Sequence, residues 1–540
     1  MNRRNFLKNT SLAGVSITTL SLTGCNGITD KEKEKNAKID SYDFELDEVT
    51  IDVLQERMAS GALTARQITT LYLDRIKKID QSGPKLNAVI EINPDALAIA
   101  DALDEERKQG KLRGPMHGIP VLIKDNIDTA DKMQTTAGAL ALKGNYAKKD
   151  AFIVQQLRAS GAILLGKTNL SEWANYRSTS SCSGWSSRGG QTKNPYILDH
   201  NPCGSSAGSG VAVAANLATV TIGTETDGSI TCPASINNVV GLKPTVGLLS
   251  RSGIIPISHT QDTAGPMART VRDAALLLGA LTGVDVNDAV TSESQGKTQK
   301  DYTSFLVPNG LKGKKIGVDR KNKSSNQALN ALLDEAITLM KNQGATIVEI
   351  DYLEKFNSLG QYESVILDFE FKNGVNAYLS KTEHAVKSLE AVIAFNIENE
   401  AKAMPYFKQE LLVNANKRGD LQDPKYLEAL VKGRDASRKI LNDTITTHQL
   451  DAIAGITMGP ACSIDVMYGD RWGSDFLTQP AAMSGFPHIS LPCGFVERLP
   501  VGISFFSSAY SEPQLLSIAY AYEQASKKRK APGFIKSFLE

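Results

Sequence analysis

The spacing of apolar residues predicts several amphipathic helices along the chain. Residues 64–79 place five apolar side chains on one stripe: Ile68, Leu71, Tyr72, Ile76 and Ile79. Thr64 stands just before this stripe and is a suitable N-cap. Residues 95–110 form a second such pattern, closed by Gly110, and residues 327–343 form a third. We therefore expect each segment to pack one helical face against a core.

Short apolar runs between the helical patterns predict buried strands. Residues 119–127 and 161–169 are two such runs, and a helical pattern at 151–160 separates them. Farther along, a helix of small residues at 206–218 leads into a strand at 219–224. Alternating strands and helices are typical of an α/β fold with helices on the faces of the sheet.

The same alternation continues in the C-terminal half. The remaining predicted strands are 314–319, 345–351, 451–457, 488–495 and 501–508. Residues 355–450 are mostly helical in pattern and could cover one end of the sheet. No internal repeat or low-complexity linker divides residues 46–540. The sequence predicts a single large α/β domain over 46–540, with a central twisted mixed β-sheet covered by helices on both faces.

The first 45 residues have a different character. Paired Arg3 and Arg4 precede a modest apolar run, a pattern that resembles a twin-arginine export signal. The run ends in Leu-Thr-Gly-Cys, which resembles a bacterial lipobox with Cys25 as the lipidated residue; a plain signal peptide with a chance cysteine is the alternative. We predict a signal at 1–25, a solvated tether at 26–45, and a membrane-anchored lipoprotein exported to the cell envelope.

Composition excludes some classes of function. Lys plus Arg number 60 and Asp plus Glu number 59, so the net charge of +1 gives no general affinity for nucleic acid. Apart from Cys25, the cysteines show neither CxxC spacing nor a paired framework, and no metal-binding motif occurs. We therefore expect no metal, no cofactor and a domain that does not depend on disulfides. The sequence does not indicate an oligomeric state.

Three short stretches carry candidate chemistry. Lys124 ends an apolar run, where loss of hydration would lower its pKa and make it a candidate general base; a strand-end lysine that reaches water is the alternative. The stretch GSSAGSG at 204–210 opens a helix, as a tight turn or an anion site would. The stretch GTETDGSI at 223–230 follows a strand, and its small residues could expose backbone N–H groups beside a hydroxyl. Taken singly, none of the three identifies a function.

Together, these stretches resemble the amidase signature family. The family pattern has a lysine after a Gly-Ile-Pro strand, then a Gly/Ser stretch, then a Gly-Ser-rich turn about two dozen residues later. Further matches are KTNLSEWAN at 167–175, GGQTKNPY at 189–196, DTAGPMARTVRDAA at 262–275 and SGFPHISLPCG at 484–494. The resemblance covers roughly residues 46 to 525. The chain has Asp227 and Ala207 where the family often has glycine.

The resemblance implies a Ser–cisSer–Lys triad. Ser229 would be the nucleophile, Ser205 would follow a cis peptide bond and pass on the proton, and Lys124 would be the terminal base. The backbone N–H groups of Thr226, Asp227, Gly228 and Ser229 would bind the oxyanion.

Other side chains around the triad would have supporting roles. Ser206 would hydrogen-bond Lys124 and keep it aligned. Glu225 and Thr226 would brace the loop by hydrogen bonds. Asp227 would contribute only its backbone N–H, and Cys232 would be a small buried residue.

The implied function is hydrolysis of a carboxamide C–N bond through an acyl-enzyme. The substrate would be a small amide or, because the motifs look more like those of bacterial peptide amidases, a C-terminal peptide amide. Two alternatives remain open: the glutaminase-type A subunit of a tRNA-dependent amidotransferase, and a non-catalytic lipoprotein that binds amides or peptides.

Overall fold

The computed structural model describes residues 42–321, 324–473 and 475–539. Its large compact unit is Phe44–Glu540. The predicted signal, Cys25 and most of the predicted tether lie outside the described residues. Within the described part of the chain, none of the helices has the length and apolar character needed to cross a bilayer.

Eleven of the strands form one sheet. The strands are β1 (Val89–Ile92), β2 (Pro120–Lys124), β3 (Ile163–Thr168), β4 (Trp185–Ser186), β5 (Gly190–Gln191), β6 (Val220–Glu225), β7 (Val240–Lys243), β8 (Thr263–Ala268), β9 (Lys315–Asp319), β10 (Thr346–Ile350), β11 (Ala452–Ile456), β12 (His488–Val496) and β13 (Leu499–Phe506). Their order in the large sheet is β1-β3-β2-β6-β8-β7-β12-β13-β11-β9-β10, while β4 and β5 pair with each other. The predicted α/β class with a central mixed sheet is confirmed.

The sheet contains two parallel groups joined by antiparallel strands. β2 runs parallel to both β3 and β6, and β9 runs parallel to both β10 and β11. The strands between the groups, β8, β7, β12 and β13, pair antiparallel with their neighbours. Because β2 and β6 are parallel, their carboxyl ends meet at one edge of the sheet, and Lys124 and Glu225 occupy those ends.

Seventeen α-helices surround the sheet in the described part of the chain. They are α1 (Ile51–Ala59), α2 (Ala65–Arg75), α3 (Ala96–Lys108), α4 (Phe152–Ala159), α5 (Ala207–Ala214), α6 (Thr231–Ile236), α7 (Val271–Leu281), α8 (Gln327–Asn342), α9 (Leu353–Asn357), α10 (Gly360–Leu379), α11 (Leu389–Glu398), α12 (Glu400–Ala403), α13 (Glu410–Asn416), α14 (Pro424–Ala429), α15 (Ala436–His448), α16 (Gln479–Ser484) and α17 (Glu512–Ser526). The helices predicted from apolar spacing are present. Helix α2 begins as expected, with Thr64 and Gln67 forming a capping box.

Helix α5 is buried on every side, which its small residues make possible. All eight of its residues are buried, from Ala207 to Ala214. A side chain at Gly208 would collide with the backbone oxygens of Ala88 and Asn169, so only glycine allows this close approach. The helix is therefore set deep against the sheet, and the serines before it are fixed with it.

The region predicted to be helical, 355–450, forms helices α9 to α15. Its apolar side chains Phe371 and Val375 pack in one core cluster with Trp173 and Ile255, which belong to the sheet-forming part of the chain. Trp173 and Phe371 are buried residues of this shared core.

Candidate active site

Lys124 is the last residue of β2, and its side chain is completely buried. Its Nζ lies 2.7 Å from Ser205 Oγ, 2.9 Å from Thr224 Oγ1 and 3.2 Å from Thr224 O. The carbonyl oxygen can only accept, whereas both hydroxyls can donate or accept. An ammonium can donate to all three oxygens, and a neutral amine can donate to two of them while its lone pair accepts from the hydroxyl of Ser205.

Burial lowers the pKa of Lys124 to about 7, because the site offers little solvation to an ammonium ion. The negative charges of Asp262 and Glu225 oppose this shift without cancelling it. The alternative of a lysine that reaches water is therefore wrong. Near neutral pH a large fraction of Lys124 is uncharged and able to accept a proton.

Ser205 is held between Lys124 and the start of α5. The peptide bond between Gly204 and Ser205 is cis, as the resemblance implies, and the side chain of Ser205 is fully buried. Its Oγ is one hydrogen bond from the Lys124 amine. The structure thus brings two of the three expected triad residues into direct contact.

Ser229 lies on the turn that follows β6, next to the segment of Ser205. The backbone N–H of Ser206 donates to the carbonyl oxygen of Ser229 at 3.2 Å, so the two serine-bearing segments adjoin. Ser229 is 7% exposed, which leaves a small opening at the nucleophile position.

The turn before Ser229 requires glycine. Gly228 has a φ angle of +75°, and a Cβ there would lie 3.1 Å from Thr478 Oγ1 and 3.2 Å from Phe476 Cζ. Within the described residues, the backbone N–H groups of Thr226, Asp227, Gly228 and Ser229 donate to no other residue. Four free donors on one turn beside a serine can receive a developing oxyanion.

Two side chains brace this turn, as predicted. Glu225 Oε2 accepts from the N–H groups of Ile230 at 2.7 Å and Thr231 at 2.9 Å, which fixes the start of α6. Thr226 Oγ1 donates to Asp262 Oδ1 at 2.6 Å. These contacts hold the turn in place and leave its N–H groups unpaired among the described residues.

Ser206 supports Lys124 by a different route from the predicted direct bond. Its Oγ donates to Thr224 O at 3.0 Å and accepts from Thr224 N at 3.1 Å. Thr224 in turn contacts the lysine amine through both of its oxygens. Ser206 therefore aligns Thr224, and Thr224 aligns Lys124. Sequence reasoning missed Thr224, although it stands directly before Glu225 at the end of β6.

The sequence shows no paired cysteine framework, yet the structure contains a disulfide. Cys203 and Cys232 form a disulfide, with a sequence separation of 29. One cysteine stands two residues before Ser205 and the other three residues after Ser229. Cys232 is buried, as expected, but it is bonded rather than free. No local spacing marks such a pair, because its partners meet only after the sheet has formed.

The side chain of Asp227 was expected to have no role, yet it makes specific contacts. Thr478 Oγ1 donates to Asp227 Oδ1 at 2.5 Å, and the next residue, Gln479, donates to Glu363 Oε2 at 2.9 Å, so consecutive residues hold the two carboxyl groups as neighbours. Burial, followed by the charge of Glu363, raises the pKa of Asp227 well above its usual range. Glu363 belongs to α10, so the helical region reaches the oxyanion turn.

A small cavity of about 80 Å³ lies beside the lysine and the turn. Its wall includes Asn126, Thr224, Thr226 and Asp262. Among the described residues, no group of three or more His, Cys, Asp or Glu side chains is placed to hold a metal ion.

The fold and the site together fit a class of enzyme. The sheet carries a buried lysine of lowered pKa, and a serine is hydrogen-bonded to this lysine. A second serine lies on an adjoining segment, and no described residue pairs with the main-chain N–H groups around it. These are the parts of a hydrolase that uses serine as the nucleophile and lysine as the base.

Comparison with known proteins gives the family. The chain belongs to the Amidase family, whose model matches residues 67–516. The solved structure of a peptide amidase from Stenotrophomonas maltophilia is 47% identical, covers 91% of this chain and 100% of its own, and superposes with a TM-score of 0.86.

Two curated relatives extend the comparison. A probable amidase of Arabidopsis thaliana is 42% identical over 92% of this chain and 93% of its own length. The A subunit of the glutamyl-tRNA(Gln) amidotransferase of Caldanaerobacter subterraneus is 32% identical over 90% of this chain and 98% of its own length. The protein is an amidase, a hydrolase of amide C–N bonds.

Proposed function

We propose that this amidase releases ammonia from carboxamides through Ser229, Ser205 and Lys124, and that its substrates are the C-terminal amides of peptides. The observation that carries the proposal is the hydrogen bond of 2.7 Å between the buried Lys124 amine and the hydroxyl of Ser205. The peptide substrate is supported by the 47% identity to a peptide amidase over nearly the whole chain.

Acylation begins when Ser229 Oγ attacks the amide carbonyl carbon. The proton of Ser229 passes to Ser205 Oγ while the proton of Ser205 passes to Lys124 Nζ. The carbonyl oxygen becomes an oxyanion that the N–H groups of the turn 226–229 can bind. The C–N bond then breaks, the leaving nitrogen takes the proton back from Lys124 through Ser205, and ammonia departs.

Deacylation repeats these steps with water as the nucleophile. Water attacks the ester of Ser229, and its proton travels through Ser205 to Lys124. The tetrahedral intermediate collapses, Ser229 regains a proton, and the carboxylic acid is released. Each half-reaction needs the amine of Lys124 in its neutral form at the start, which agrees with its pKa of about 7.

The test is ammonia release by the full-length chain from four classes of amide: C-terminal peptide amides, fatty amides, aryl amides and glutamine. We expect the largest kcat/KM for peptide amides. Ser229→Ala should abolish release while the protein stays folded. Ser209→Ala is the matched control, because this buried serine of α5 bonds Thr168 and Ile222 and lies outside the proposed site.

The panel also tests the alternatives. The 32% identity to an amidotransferase A subunit makes glutamine the diagnostic substrate, and a preference for glutamine over peptide amides would replace the proposed substrate. If the wild-type protein hydrolyses none of the four classes and yet binds peptide amides saturably, the result would instead support a non-catalytic lipoprotein that binds amides or peptides.

Export and anchoring form a separate part of the proposal. The twin-arginine pattern and the lipobox at Cys25 support a lipoprotein on the outer side of the cytoplasmic membrane. Cell fractionation tests this: wild type should sediment with membranes and carry a lipid on Cys25, and Cys25→Ala should release the enzyme or leave its precursor unprocessed. A soluble cytoplasmic wild type that retains Met1 would contradict it.

A further inference from the structure

Glu363 joins three segments around the oxyanion turn. Its Oε1 accepts from Gln261 Nε2 at 2.9 Å, and its Oε2 accepts from Gln479 Nε2 at 2.9 Å. Gln261 Nε2 also reaches the carbonyl oxygen of Thr226 at 3.4 Å. Glu363 is only 7% exposed, so its carboxylate depends on these donors rather than on water.

The third neighbour of Glu363 is the carboxyl group of Asp227, which accepts from Thr478, the residue before Gln479. Glu363 is buried and Asp227 is partly buried, and two carboxyl groups side by side with so little access to water hold one proton between them. Glu363 already accepts from two amides, which favour its charged form. Within the described chain, Asp227 accepts from a single hydroxyl, that of Thr478, so its charged form is the less stabilised of the two and the proton belongs on Asp227.

The position of this proton affects the chemistry. Asp227 lies two residues before Ser229, and its own N–H is one of the free donors of the turn. An ionised Asp227 would place a negative charge beside the oxyanion that forms during amide hydrolysis. At this short range in a buried site, repulsion between like charges is large enough to slow the reaction.

We propose that Glu363 is a positioning residue for amide hydrolysis, which holds the oxyanion turn and keeps the Asp227 side chain protonated and therefore neutral. This inference rests on the proposed function, because it assumes that the turn 226–229 binds the oxyanion. It assigns to helix α10 a part in the reaction, although α10 supplies no atom that touches the reacting carbonyl.

Other charged groups face this pair. Glu225 on β6 adds to the rise in the pKa of Asp227, and Lys243 on β7 interacts electrostatically with Asp227. Burial lowers the pKa of Lys243 to about 8, so its charge falls as the pH rises. The phenol of Tyr176 interacts with Glu363. Loss of charge from Lys243 at high pH removes a cation from the neighbourhood of Asp227, which further favours its protonated form.

The experiment compares Glu363→Gln, Asp227→Asn and the double variant with a peptide amide as the substrate. In Glu363→Gln the new amide can donate to Asp227 and no longer repels its charge, so Asp227 ionises at lower pH. We expect kcat at neutral pH to fall by about tenfold or more, with a smaller change in KM, and the alkaline fall of kcat to move to lower pH.

Adding Asp227→Asn to Glu363→Gln should restore most of the lost kcat, because an asparagine cannot ionise. A merely structural role for Glu363 would give no such rescue, since both substitutions would weaken the same contacts. In Asp227→Asn alone, the decrease of kcat at alkaline pH that ionisation of Asp227 causes should be absent. This measurement tests whether Asp227 must stay neutral even if Glu363→Gln does not fold.

The matched control is Glu370→Gln. Glu370 is a buried acid on the same helix and accepts from Thr260 N at 3.1 Å and Tyr426 Oη at 2.7 Å, but it does not contact Asp227. We expect this variant to keep the wild-type pH profile of kcat.

The outcomes separate this inference from the proposed function. The role of Glu363 would be overturned if wild type is active and Glu363→Gln has the same kcat and the same pH profile. It would also be overturned if the double variant is as slow as Glu363→Gln. Either result would leave the proposed function standing. A wild type silent on every amide would overturn both.

Discussion

Two buried lysines on neighbouring strands have opposite surroundings. Lys124 ends β2 and Lys167 lies in β3, and both are completely buried. Lys167 pairs with Ile123 and Lys124 pairs with Thr168, so the two side chains point to opposite faces of the sheet.

The partners of each amine differ in kind. Lys124 Nζ has two hydroxyl groups and one carbonyl oxygen around it, whereas Lys167 Nζ donates to Ile127 O at 2.6 Å and Thr135 Oγ1 at 3.1 Å. Burial lowers the pKa of Lys167 too, but the charges that oppose this shift come from four carboxylates: Asp125, Asp128, Asp131 and Glu91. At Lys124 only two carboxylates do so. Burial makes a lysine a possible base, and its neighbours decide whether it becomes one.

The largest expected effect is on activity. Lys124→Met should lower kcat/KM for the preferred amide by about 10³-fold or more, because it removes the terminal base. Lys167→Met removes an equally buried amine from the other face and should cost far less activity in the protein that remains folded. Equal losses in the two variants, measured per folded molecule, would contradict the distinction between them.

The stability effects should be reversed. Lys167→Met removes the buried donor to Ile127 O and Thr135 Oγ1 and its attraction to nearby carboxylates, and it should lower the free energy of unfolding by about 3–5 kcal/mol. Lys124→Met loses hydrogen bonds of a largely neutral amine and should cost about 1–2 kcal/mol at pH 8. Urea unfolding at that pH measures both values, and the reverse order would show that Lys167 is the neutral amine.

The pH dependence follows from the pKa of Lys124. Below about pH 7 the amine is protonated in the free enzyme and cannot accept a proton, so kcat/KM should fall about tenfold for each further pH unit. Above about pH 7 the amine is neutral, and kcat/KM should no longer rise with pH. In Lys167→Met, kcat/KM should fall below the same pH as in wild type. A wild-type profile that is flat between pH 5 and 8 would exclude Lys124 as the base.

The smallest effects concern the threonines beside each amine. Thr224→Val removes a hydroxyl that contacts Lys124 and Asn126 and should lower kcat by about tenfold, because the lysine is held less firmly. Thr135→Val removes the corresponding partner of Lys167 and should cost about 1 kcal/mol of stability with kcat unchanged. Circular dichroism melts and initial rates on both variants provide the comparison.

Eight of the eleven strands of the large sheet were predicted from apolar runs, but β1, β7 and β8 were not, and β8 shows why. It contains Gly265 and Pro266, which ordinarily argue against a central strand. The structure tolerates Pro266 because β6 pairs opposite it, while on the other side β7 pairs only with Met267 and Ala268. Pro266 therefore lies just beyond the last hydrogen-bonded pair of β7 and β8, where no backbone N–H is needed.

The candidate site was only partly predictable, for a similar reason. The apolar run around Lys124 indicated its burial, and the resemblance indicated the two serines. Glu363, Thr478 and the Cys203–Cys232 pair reach the site from distant parts of the chain. Their contacts arise from the pairing of whole elements, which no local pattern records.

The covalent bond between Cys203 and Cys232 links the segment of Ser205 to the segment of Ser229, and it forms and persists only where the compartment is oxidising. In a chain-entropy model a bridge over 29 residues contributes about 3–4 kcal/mol, and because both sulfur-bearing side chains are buried, a reductant added to the finished enzyme has little access to them. Preparations made under reducing and under oxidising conditions would then have the same sequence but differ in whether this disulfide is present. Titration of thiols after denaturation would distinguish them, with six reactive sulfhydryls in the first and four in the second when Cys25 is unmodified.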